Sequence, residues 1–287
     1  MKSKMINNLI GLGTILLGAT MAKKAGVTFF ENSTYSDFKI TDRIVDSISV
    51  FESGGVARTV ETAYNLKGET WGGAGYPNSK LWTIGNGMTV LYLEGGKRFI
   101  TNYPAKGANG VRQGDTLSNL KVLMGYSSLS SVEFAKVLTQ NFAEAAAYSD
   151  VAKDLDKLGV PFNVNYAEAL MEMSYGSGSA FRTGTKYDKA RGALFGYRWF
   201  LDSIKRDPSP YNFARSYFIF RMDYYRYGTV AGAWDRAKEG WMPRIFFASM
   251  VAKGGNVDPL SVKNGYYNKK SLLIRDIQRE FGLVTTW

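Results

Sequence analysis

Glu52 is the residue that the sequence places best for acid chemistry. It lies in the segment 51–55 (FESGG), at the end of a predicted short helix that two glycines terminate. Burial disfavours the charged form of a carboxyl group, so a Glu with apolar neighbours can retain a proton near neutral pH. Val50, Phe51 and Val56 supply such neighbours. The sequence therefore predicts Glu52 as a general acid.

The absence of two residue types limits what else the chain can do. The 287 residues include no His and no Cys. This excludes Ser-His-Asp triads, Cys-His nucleophiles, HExxH zinc sites and disulfides. Hydrolytic chemistry is left to carboxylates, Tyr, Lys, Ser or Thr, or to a hard metal ion on oxygen ligands. No cofactor and no resident metal are predicted.

The formal net charge of +11 favours a polyanionic partner, such as nucleic acid, anionic lipid or a bacterial cell wall. The basic residues are spread along the chain and form no dense run with interleaved aromatic residues. The Gly-rich segment 72–75 lacks the Lys-Ser/Thr of a P-loop. Nucleic acid is therefore not predicted as a partner.

The first half of the chain predicts a helix followed by a small hairpin. Apolar spacing indicates a helix over 42–51. Strands are predicted over 81–84 and 88–93, around the Asn-Gly turn at 85–87. The stretch 101–130 is predicted to be mostly loop.

The second half predicts a run of helices, which makes the fold class α+β. A capping box, Ser130 with Glu133, starts a helix that runs to residue 158. Asn165 and Glu168 suggest a second such start, for a helix with Leu170, Met171 and Tyr175 inward and an end at 176–178. Further helices are predicted over 188–206, 211–227, 230–252 and 270–281, with the aromatic run from Tyr217 to Tyr227 as helix packing.

The N-terminal segment 1–24 has the pattern of a signal peptide or signal anchor. Residues 5–22 carry no charge and are flanked by Lys2, Lys4, Lys23 and Lys24. Glycine and polar residues dilute this stretch, so it is short and weak for a membrane helix. The alternative is an amphipathic or buried helix that begins a globular protein.

Several segments together resemble phage-type lysozymes, in the family's order. They are Phe51-Glu52, Ala63-Tyr64-Asn65, the hairpin 83–89 (TIGNGMT), the stretch 110–118, the helix 169–181 (ALMEMSYGSGSAF) and Gly240-Trp241 with Arg244. Each motif alone is unspecific, and their order covers roughly residues 40–250. The resemblance implies a lysozyme-like domain over 25–287, with a small β lobe at about 40–115 and a helical lobe at about 130–287.

The resemblance also implies site residues. Glu52 would be the general acid, and Thr83 would position the attacking water on the opposite side of the sugar. Asn86, in the turn, and Tyr175, in the later helix, would contact substrate.

The second carboxylate of such a site is left open by the sequence. Met88 replaces the family's His, and Asn65 stands where an Asp is usual. Glu61 has the family's spacing from Glu52, whereas Glu69 has the better position after Tyr64. If neither serves, a lytic transglycosylase, which needs mainly one acid/base, remains possible.

Two aromatic side chains in the loop before the hairpin, Trp71 and Tyr76, are candidates to line a saccharide groove. This loop is rich in glycine, and the faces of the two rings could stack on sugar C–H surfaces. Arg221, Arg226, Arg236 and Arg244 could attract anionic wall polymer, although such residues are more often solvated surface charges.

The function predicted from these observations is that of a muramidase, which cuts the β-1,4 bond between N-acetylmuramic acid and N-acetylglucosamine. The predicted partners are peptidoglycan and, through residues 5–22, a membrane. The predicted location is the inner membrane or periplasm of a phage host, or a virion. The alternatives are a lytic transglycosylase, a degenerate lysozyme-fold protein that binds the wall or forms part of a virion, and a membrane-associated basic protein with no wall role.

Overall fold

The chain divides into residues 1–34 and a compact unit of residues 35–287. The predicted N-terminal segment lies outside the described residues and stays a prediction. Among the described residues, none of the helices combines the length and the hydropathy that a membrane span requires. The computed structural model describes residues 33–53, 60–65, 82–99, 111–177, 196–227, 233–266 and 269–283.

The predicted first helix is confirmed as α1 (Asp42–Ser53). Its apolar face follows the helical period, because Ile44, Val45 and Ile48 are all completely buried. Among the described residues, the later helices are α2 (Leu117–Leu123), α3 (Ser131–Ala143), α4 (Ser149–Leu158), α5 (Val164–Ser177), α6 (Tyr197–Arg206), α7 (Pro210–Tyr227), α8 (Ala233–Ala252), α9 (Pro259–Tyr266) and α10 (Lys270–Phe281).

The helical core is centred on α8, which packs against α7 and α5. The predicted helices 211–227, 230–252 and 270–281 correspond to α7, α8 and α10, and the described part of 188–206 forms α6. On α5, Leu170 and Met171 are completely buried and Tyr175 is 8% exposed, as predicted. The first part of the aromatic run of α7 is also confirmed as packing, because Tyr217, Phe218 and Phe220 are buried.

The sheet has two antiparallel strands, β1 (Val60–Tyr64) and β2 (Thr83–Gly85). Val60 lies opposite Gly85 and Tyr64 opposite Thr83, so the longer strand bulges between these pairs. The α+β class is confirmed, but the predicted strand 88–93 is wrong. Met88 forms only an isolated bridge with Ile84, and the chain then turns back so that Tyr92 bridges Arg98. The strand partner of β2 lies upstream.

The predicted tight turn is confirmed. The Ile84 N–H donates to the Met88 carbonyl at 2.9 Å, and the Met88 N–H donates back to the Ile84 carbonyl at 3.0 Å. The enclosed Gly85 and Gly87 have φ of 59° and 90°, which L side chains rarely adopt. The two glycines therefore allow the chain to reverse within five residues.

Two short helices were missed by sequence reasoning. Helix α2 lies in the stretch predicted as loop, and α9 lies between α8 and α10. They have 7 and 8 residues, so neither is long enough to show a clear apolar period. The caps were the available signal, since Thr116 accepts from the Asn119 N–H and Asp258 accepts from the Ser261 N–H.

The predicted helix 131–158 is present but contains a π-helical turn (Glu144–Tyr148) between α3 and α4. Glu144, in this turn, accepts from the Lys39 ammonium at 3.0 Å and from the Ile40 N–H at 3.4 Å. The π-helical turn thus binds the segment at Lys39 and Ile40 that leads into α1. A π turn of this kind has no pattern in the sequence that periodicity could detect.

The predicted capping pair at the start of α5 is wrong. The Asn163 side chain, not that of Asn165, accepts a capping bond, from the Asn165 N–H at 2.9 Å. Glu168 is 3% exposed and instead binds Thr41 and Arg43. A buried charge requires a partner, and here the partner joins α5 to the start of α1.

Replacing Ser130 with Ala tests the capping box of α3. The Ser130 hydroxyl accepts from the Glu133 N–H at 3.2 Å, and the Glu133 carboxylate accepts from the Ser130 N–H at 2.8 Å. Loss of the serine cap should lower the free energy of unfolding in urea by about 1 kcal/mol. Ser128→Ala, at an exposed turn position, is the matched control and should have almost no effect. Equal effects of the two variants would contradict the capping assignment.

The pair between Lys253 and Glu280 predicts a pH-dependent contribution to stability. The Lys253 ammonium, 2.9 Å from the carboxylate, holds the pKa of Glu280 below its ordinary 4.5. Because the pKa is lowered by folding, the contribution is complete above about pH 5 and is lost as the pH falls through the folded value. Lys253→Met should cost about 1 kcal/mol of unfolding free energy at pH 6 and almost nothing near pH 2. Lys205→Met is the control, and a cost for Lys253→Met that does not change with pH would refute the pairing.

Candidate functional site

Glu52 lies in the last turn of α1, and its carboxylate faces a guanidinium group. Its Oε1 accepts from Nη1 of Arg244 at 2.5 Å, and its side chain is 26% exposed. The apolar surroundings predicted for Glu52 are not found among the described residues. Phe51 packs against Phe247 with ring centroids 5.6 Å apart, and Val56 lies outside the described residues. Glu52 is thus held by charge rather than surrounded by hydrocarbon.

Arg244, on α8, is shared between two carboxylates. Its Nε donates to Oε1 of Glu172, on α5, while its Nη1 donates to Glu52. Arg244 is 4% exposed and Glu172 is 1% exposed, and the guanidinium lies 4.7 Å from the Trp241 ring centroid. Burial alone lowers the pKa of Arg244, but the charges of Glu172 and Glu52 outweigh burial and hold that pKa above its ordinary value. Arg244 therefore remains a cation.

The trio of Glu52, Arg244 and Glu172 places two carboxylates on one guanidinium group. With both acids ionised, two carboxylates share one cation, and the trio carries one excess negative charge. Glu52 has the more accessible side chain, 26% exposed against 2% for Glu172. Glu52 is therefore the member of the trio that a molecule outside the core can reach.

A second cation, Lys263, belongs to the surroundings of the trio. Its ammonium donates to the carbonyl of Val50, in α1, at 2.6 Å. Burial lowers the pKa of Lys263, the Glu52 charge acts against that, and the Arg244 charge adds to it. Lys263 thus offsets part of the negative charge of the trio.

Two glycines permit the close packing around the trio. A Cβ added to Gly87 would lie 3.1 Å from Oε2 of Glu52, so the turn lies directly against this carboxylate. A Cβ added to Gly176 would lie 2.7 Å from the Trp241 ring and 3.1 Å from Cζ of Arg244. Any side chain at either position would displace a member of the site.

Asn86, which is predicted to contact substrate, connects the turn to three helices through hydrogen bonds. Its side-chain amide donates to Ser49 at 2.8 Å and to Thr139 at 3.0 Å. Its main-chain carbonyl oxygen accepts a hydrogen bond from the Tyr175 hydroxyl at 2.5 Å. Asn86 is 2% exposed. The turn that lies against Glu52 is therefore fixed by hydrogen bonds to α1, α3 and α5.

Tyr175, the other predicted substrate contact in the described residues, is buried beside the trio. Burial and the nearby Glu52 charge raise the pKa of Tyr175 well above 10, while the Arg244 charge lowers it. Its hydroxyl remains protonated and donates to the turn. In the structure this residue positions Asn86, and a direct contact with substrate stays a prediction.

Of the remaining predicted site residues, the structure describes Thr83 and Glu61. Thr83 is 4% exposed in β2, opposite Tyr64. Glu61, on β1, accepts from the Ser118 hydroxyl at 2.6 Å and from the Ser118 N–H at 3.0 Å. Burial raises the pKa of Glu61, but hydrogen bonds from Ser118 and Ser131 and the charge of Lys121 together outweigh burial and hold that pKa below the ordinary value. Glu69, Trp71 and Tyr76 lie outside the described residues.

Sequence reasoning missed Glu172 and misjudged Arg244. Arg244 and Arg221 were considered as charges that could attract polymer or, more often, lie on the solvated surface, yet both are almost completely buried. One signal was present for Glu172, because it interrupts the apolar run ALMEM in the middle of a helix. A charged residue at such a position predicts a buried partner of opposite charge. The partner could not be named without the fold.

The described residues contain no group of three or more acidic side chains arranged to hold a metal ion. No family model matches the chain, and neither the curated proteins nor the solved structures include a match. The resemblance to phage-type lysozymes therefore stays a prediction based on the motifs.

Replacing Arg244 with Met tests how much the trio contributes to stability. The change leaves Glu172 buried without its cation, so the free energy of unfolding in urea should fall by about 3–5 kcal/mol. The double variant Arg244→Met/Glu172→Gln should recover part of this loss, because no buried charge is then unpaired. Arg275→Met is the control. Arg275 lies 3.4 Å from Asp276 but is 66% exposed, so its loss should cost less than about 1 kcal/mol. No recovery in the double variant would show that packing, not charge, accounts for the loss.

Proposed function

We propose that this protein is a muramidase of the lysozyme-like type, with Glu52 as its general acid. The observation that carries the proposal is the Glu52 carboxylate, paired with Arg244 at 2.5 Å and packed against the glycine of the turn at Gly87. Cleavage of a glycosidic bond needs a proton for the leaving oxygen from a group held in a fixed position. Glu52 is fixed by its ion pair and is also the accessible acid of the trio.

Arg244 has a defined role in this proposal. It orients Glu52 from the buried side, so that the carboxylate cannot rotate away from the turn. When the proton leaves Glu52, the guanidinium stabilises the carboxylate that forms. Glu172 keeps Arg244 in place from the opposite side. Arg244 and Glu172 are therefore positioning residues, and Glu52 is the catalytic residue.

The second carboxylate separates hydrolysis from transglycosylation. Glu61 is already engaged at the first turn of α2 by two bonds from Ser118. This favours Glu69 as the partner of Glu52 in a hydrolase, or a transglycosylase reaction in which the sugar's own hydroxyl attacks. The same Glu52 would donate the proton in both reactions.

The setting of the proposed activity follows from the charge and the N-terminal segment. Peptidoglycan is an anionic partner suited to a net charge of +11. Residues 5–22 would bring the chain to a membrane, at the inner membrane and periplasm of a phage host or within a virion. The alternative is a protein that binds the wall without cutting it, and the following experiment distinguishes this alternative from a muramidase.

Release of fragments from purified peptidoglycan tests the proposal. The wild-type chain should release soluble fragments, and Glu52→Gln should reduce the rate about 10²–10⁴-fold, because the amide cannot donate the proton. Glu94→Gln is the matched control, since Glu94 is exposed in a turn outside the site. Circular dichroism and urea unfolding establish that both variants fold.

Mass spectrometry of the fragments identifies the reaction. Reducing ends indicate a hydrolase, and anhydro ends indicate a transglycosylase. Equal rates for the wild type and Glu52→Gln would refute Glu52 as the acid. Binding to insoluble wall with no fragments released by the wild type would refute the enzymatic proposal and leave a wall-binding protein.

A further inference from the structure

The last of the described helices, α10, carries a row of exposed cations. The side chains of Arg275 and Arg279 are 66% and 62% exposed. The two residues are four positions apart, so they are neighbours on the helix surface, about 6 Å apart along its axis. Lys269 and Lys270, at the start of α10, are also exposed. The ion pairs of the described residues include neither lysine.

The two acidic side chains of α10 do not neutralise this row. Asp276 accepts from Arg275 at 3.4 Å and from Arg279 at 2.8 Å. Glu280 accepts from Arg279 at 3.0 Å and from Lys253, just after the end of α8, at 2.9 Å. Three cations thus share two carboxylates, and the two lysines at the start of the helix add to the excess. The exposed side of α10 is therefore positively charged.

An exposed aromatic ring lies at the end of this row. Tyr211, at the start of α7, is 47% exposed. Its hydroxyl donates to the main-chain carbonyl oxygen of Phe281 at 3.1 Å, and its ring centroid lies 5.9 Å from the Lys253 ammonium. The ring and the cations are therefore parts of one surface. We call this surface the α10 face, and it consists of Tyr211, Lys253, Lys269, Lys270, Arg275 and Arg279.

The described surface is not basic everywhere. Helix α4 has the opposite balance, because it carries three acids and two lysines: Asp150, Asp154, Asp156, Lys153 and Lys157. A local excess of positive charge attracts a partner of complementary charge. The α10 face therefore favours an anionic partner, and its length favours a polymer over a single ion.

The side chains of the α10 face also limit the kind of polymer. Arg275 uses only its Nε for Asp276, so among the described residues its two Nη groups remain available as a fork for a carboxylate or phosphate. Leu272 is the large apolar side chain that α10 exposes in the described chain, too little to insert into a bilayer. One ring, that of Tyr211, does not form the row of aromatic side chains that stacks successive bases. A ring of this kind can stack on the C–H surface of a sugar.

We propose that the α10 face binds the carboxylate groups of an acidic glycan, which the proposed function identifies as peptidoglycan with its stem peptides. The Arg275 fork would hold one carboxylate, the neighbouring cations would attract others, and the Tyr211 ring would stack on a sugar. The surface is inferred from observations independent of Glu52, and only the choice of peptidoglycan rests on the proposed function.

This surface is a second contact with the polymer, remote from the candidate active site. Helix α8 ends at Ala252, eight positions and about 12 Å along the axis beyond Arg244. Lys253, which follows, belongs to the α10 face, whereas Arg244 binds Glu52. A long wall polymer held at the α10 face would therefore remain near the chain while another part of it reaches Glu52.

Retention of the full chain on insoluble peptidoglycan tests the surface. Every chain in this experiment carries Glu52→Gln, so that cleavage does not alter the wall. Adding Arg275→Gln/Arg279→Gln should weaken the apparent Kd about tenfold at low salt, because two exposed charge contacts are lost. In about 1 M salt the difference should disappear, since exposed charges are then screened.

The matched control is Lys153→Gln/Lys157→Gln, which removes the same charge from exposed positions of α4 and should change retention less than about twofold. Equal retention by the two double variants overturns the proposal. Circular dichroism and urea unfolding establish that each variant folds. If Arg275→Gln/Arg279→Gln does not fold, Lys269→Gln/Lys270→Gln breaks no ion pair and should weaken retention about threefold.

Two substitutions of Tyr211 separate stacking from a structural role. Tyr211→Phe and Tyr211→Leu both lose the hydrogen bond to Phe281, but only Tyr211→Leu loses the aromatic ring. Tyr211→Leu should weaken retention at least about threefold, and Tyr211→Phe should retain the wall like its parent. Equal losses would remove Tyr211 from the binding surface and overturn that part of the proposal.

Chemically modified wall identifies the bound group. Conversion of the wall carboxyl groups to neutral amides should reduce retention of the parent chain to that of Arg275→Gln/Arg279→Gln. Extraction of phosphate polymers from the wall with hydrofluoric acid should leave retention unchanged. Loss of retention after this extraction alone would identify a phosphate polymer and overturn the carboxylate assignment.

Two further probes are vesicles that contain phosphatidylglycerol and a DNA oligonucleotide. If Arg275→Gln/Arg279→Gln weakens binding to either probe but not to the wall, the partner is a membrane or a nucleic acid, and the glycan proposal is overturned. Retention needs no cleavage, so the two proposals fail separately. A muramidase that fails leaves retention dependent on the α10 face, whereas a binding surface that fails leaves the release of fragments intact.

Discussion

One buried cation, Arg244, is the interaction on which the candidate site depends. It joins the end of α1 to the middle of α5 from its own position on α8, through Glu52 and Glu172. These elements are far apart in the sequence and have no backbone pairing with one another. A guanidinium group can serve two carboxylates because its donors point in several directions and because it remains charged when it is buried. A lysine could not reproduce this geometry.

The same interaction relates the stability of the molecule to its proposed chemistry. Glu172 keeps Arg244 charged in a place where a lone charge would be costly. Arg244 in turn holds Glu52, which is the only member of the trio with substantial exposure. The buried end of the trio thus has a structural role, and the exposed end is the one that the proposed chemistry would use.

Sequence patterns predicted those elements whose residues interact locally. Apolar periodicity was sufficient for α1, α7 and α10, and the Asn-Gly turn was found because its glycines need unusual backbone angles. The pairing of β2 was predicted with the wrong partner, because strand choice depends on contacts distant in sequence. The cap of α5 was misplaced since Glu168 is used across elements, by Arg43, rather than within its own helix. Glu52 lies beside the turn, and its cation, 192 positions later, could be identified only once the fold was known.

The bonds made by Asn86 have a consequence for the order of folding. Its partners Ser49, Thr139 and Tyr175 are 37, 53 and 89 positions away. A contact between distant residues forms late, after the loops between them have closed. The turn against Glu52 therefore acquires its final shape only when α1, α3 and α5 have assembled around it. In the folded protein it cannot open by itself, and the amides of Ile84 and Met88 should exchange with solvent hydrogen only as slowly as these helices separate.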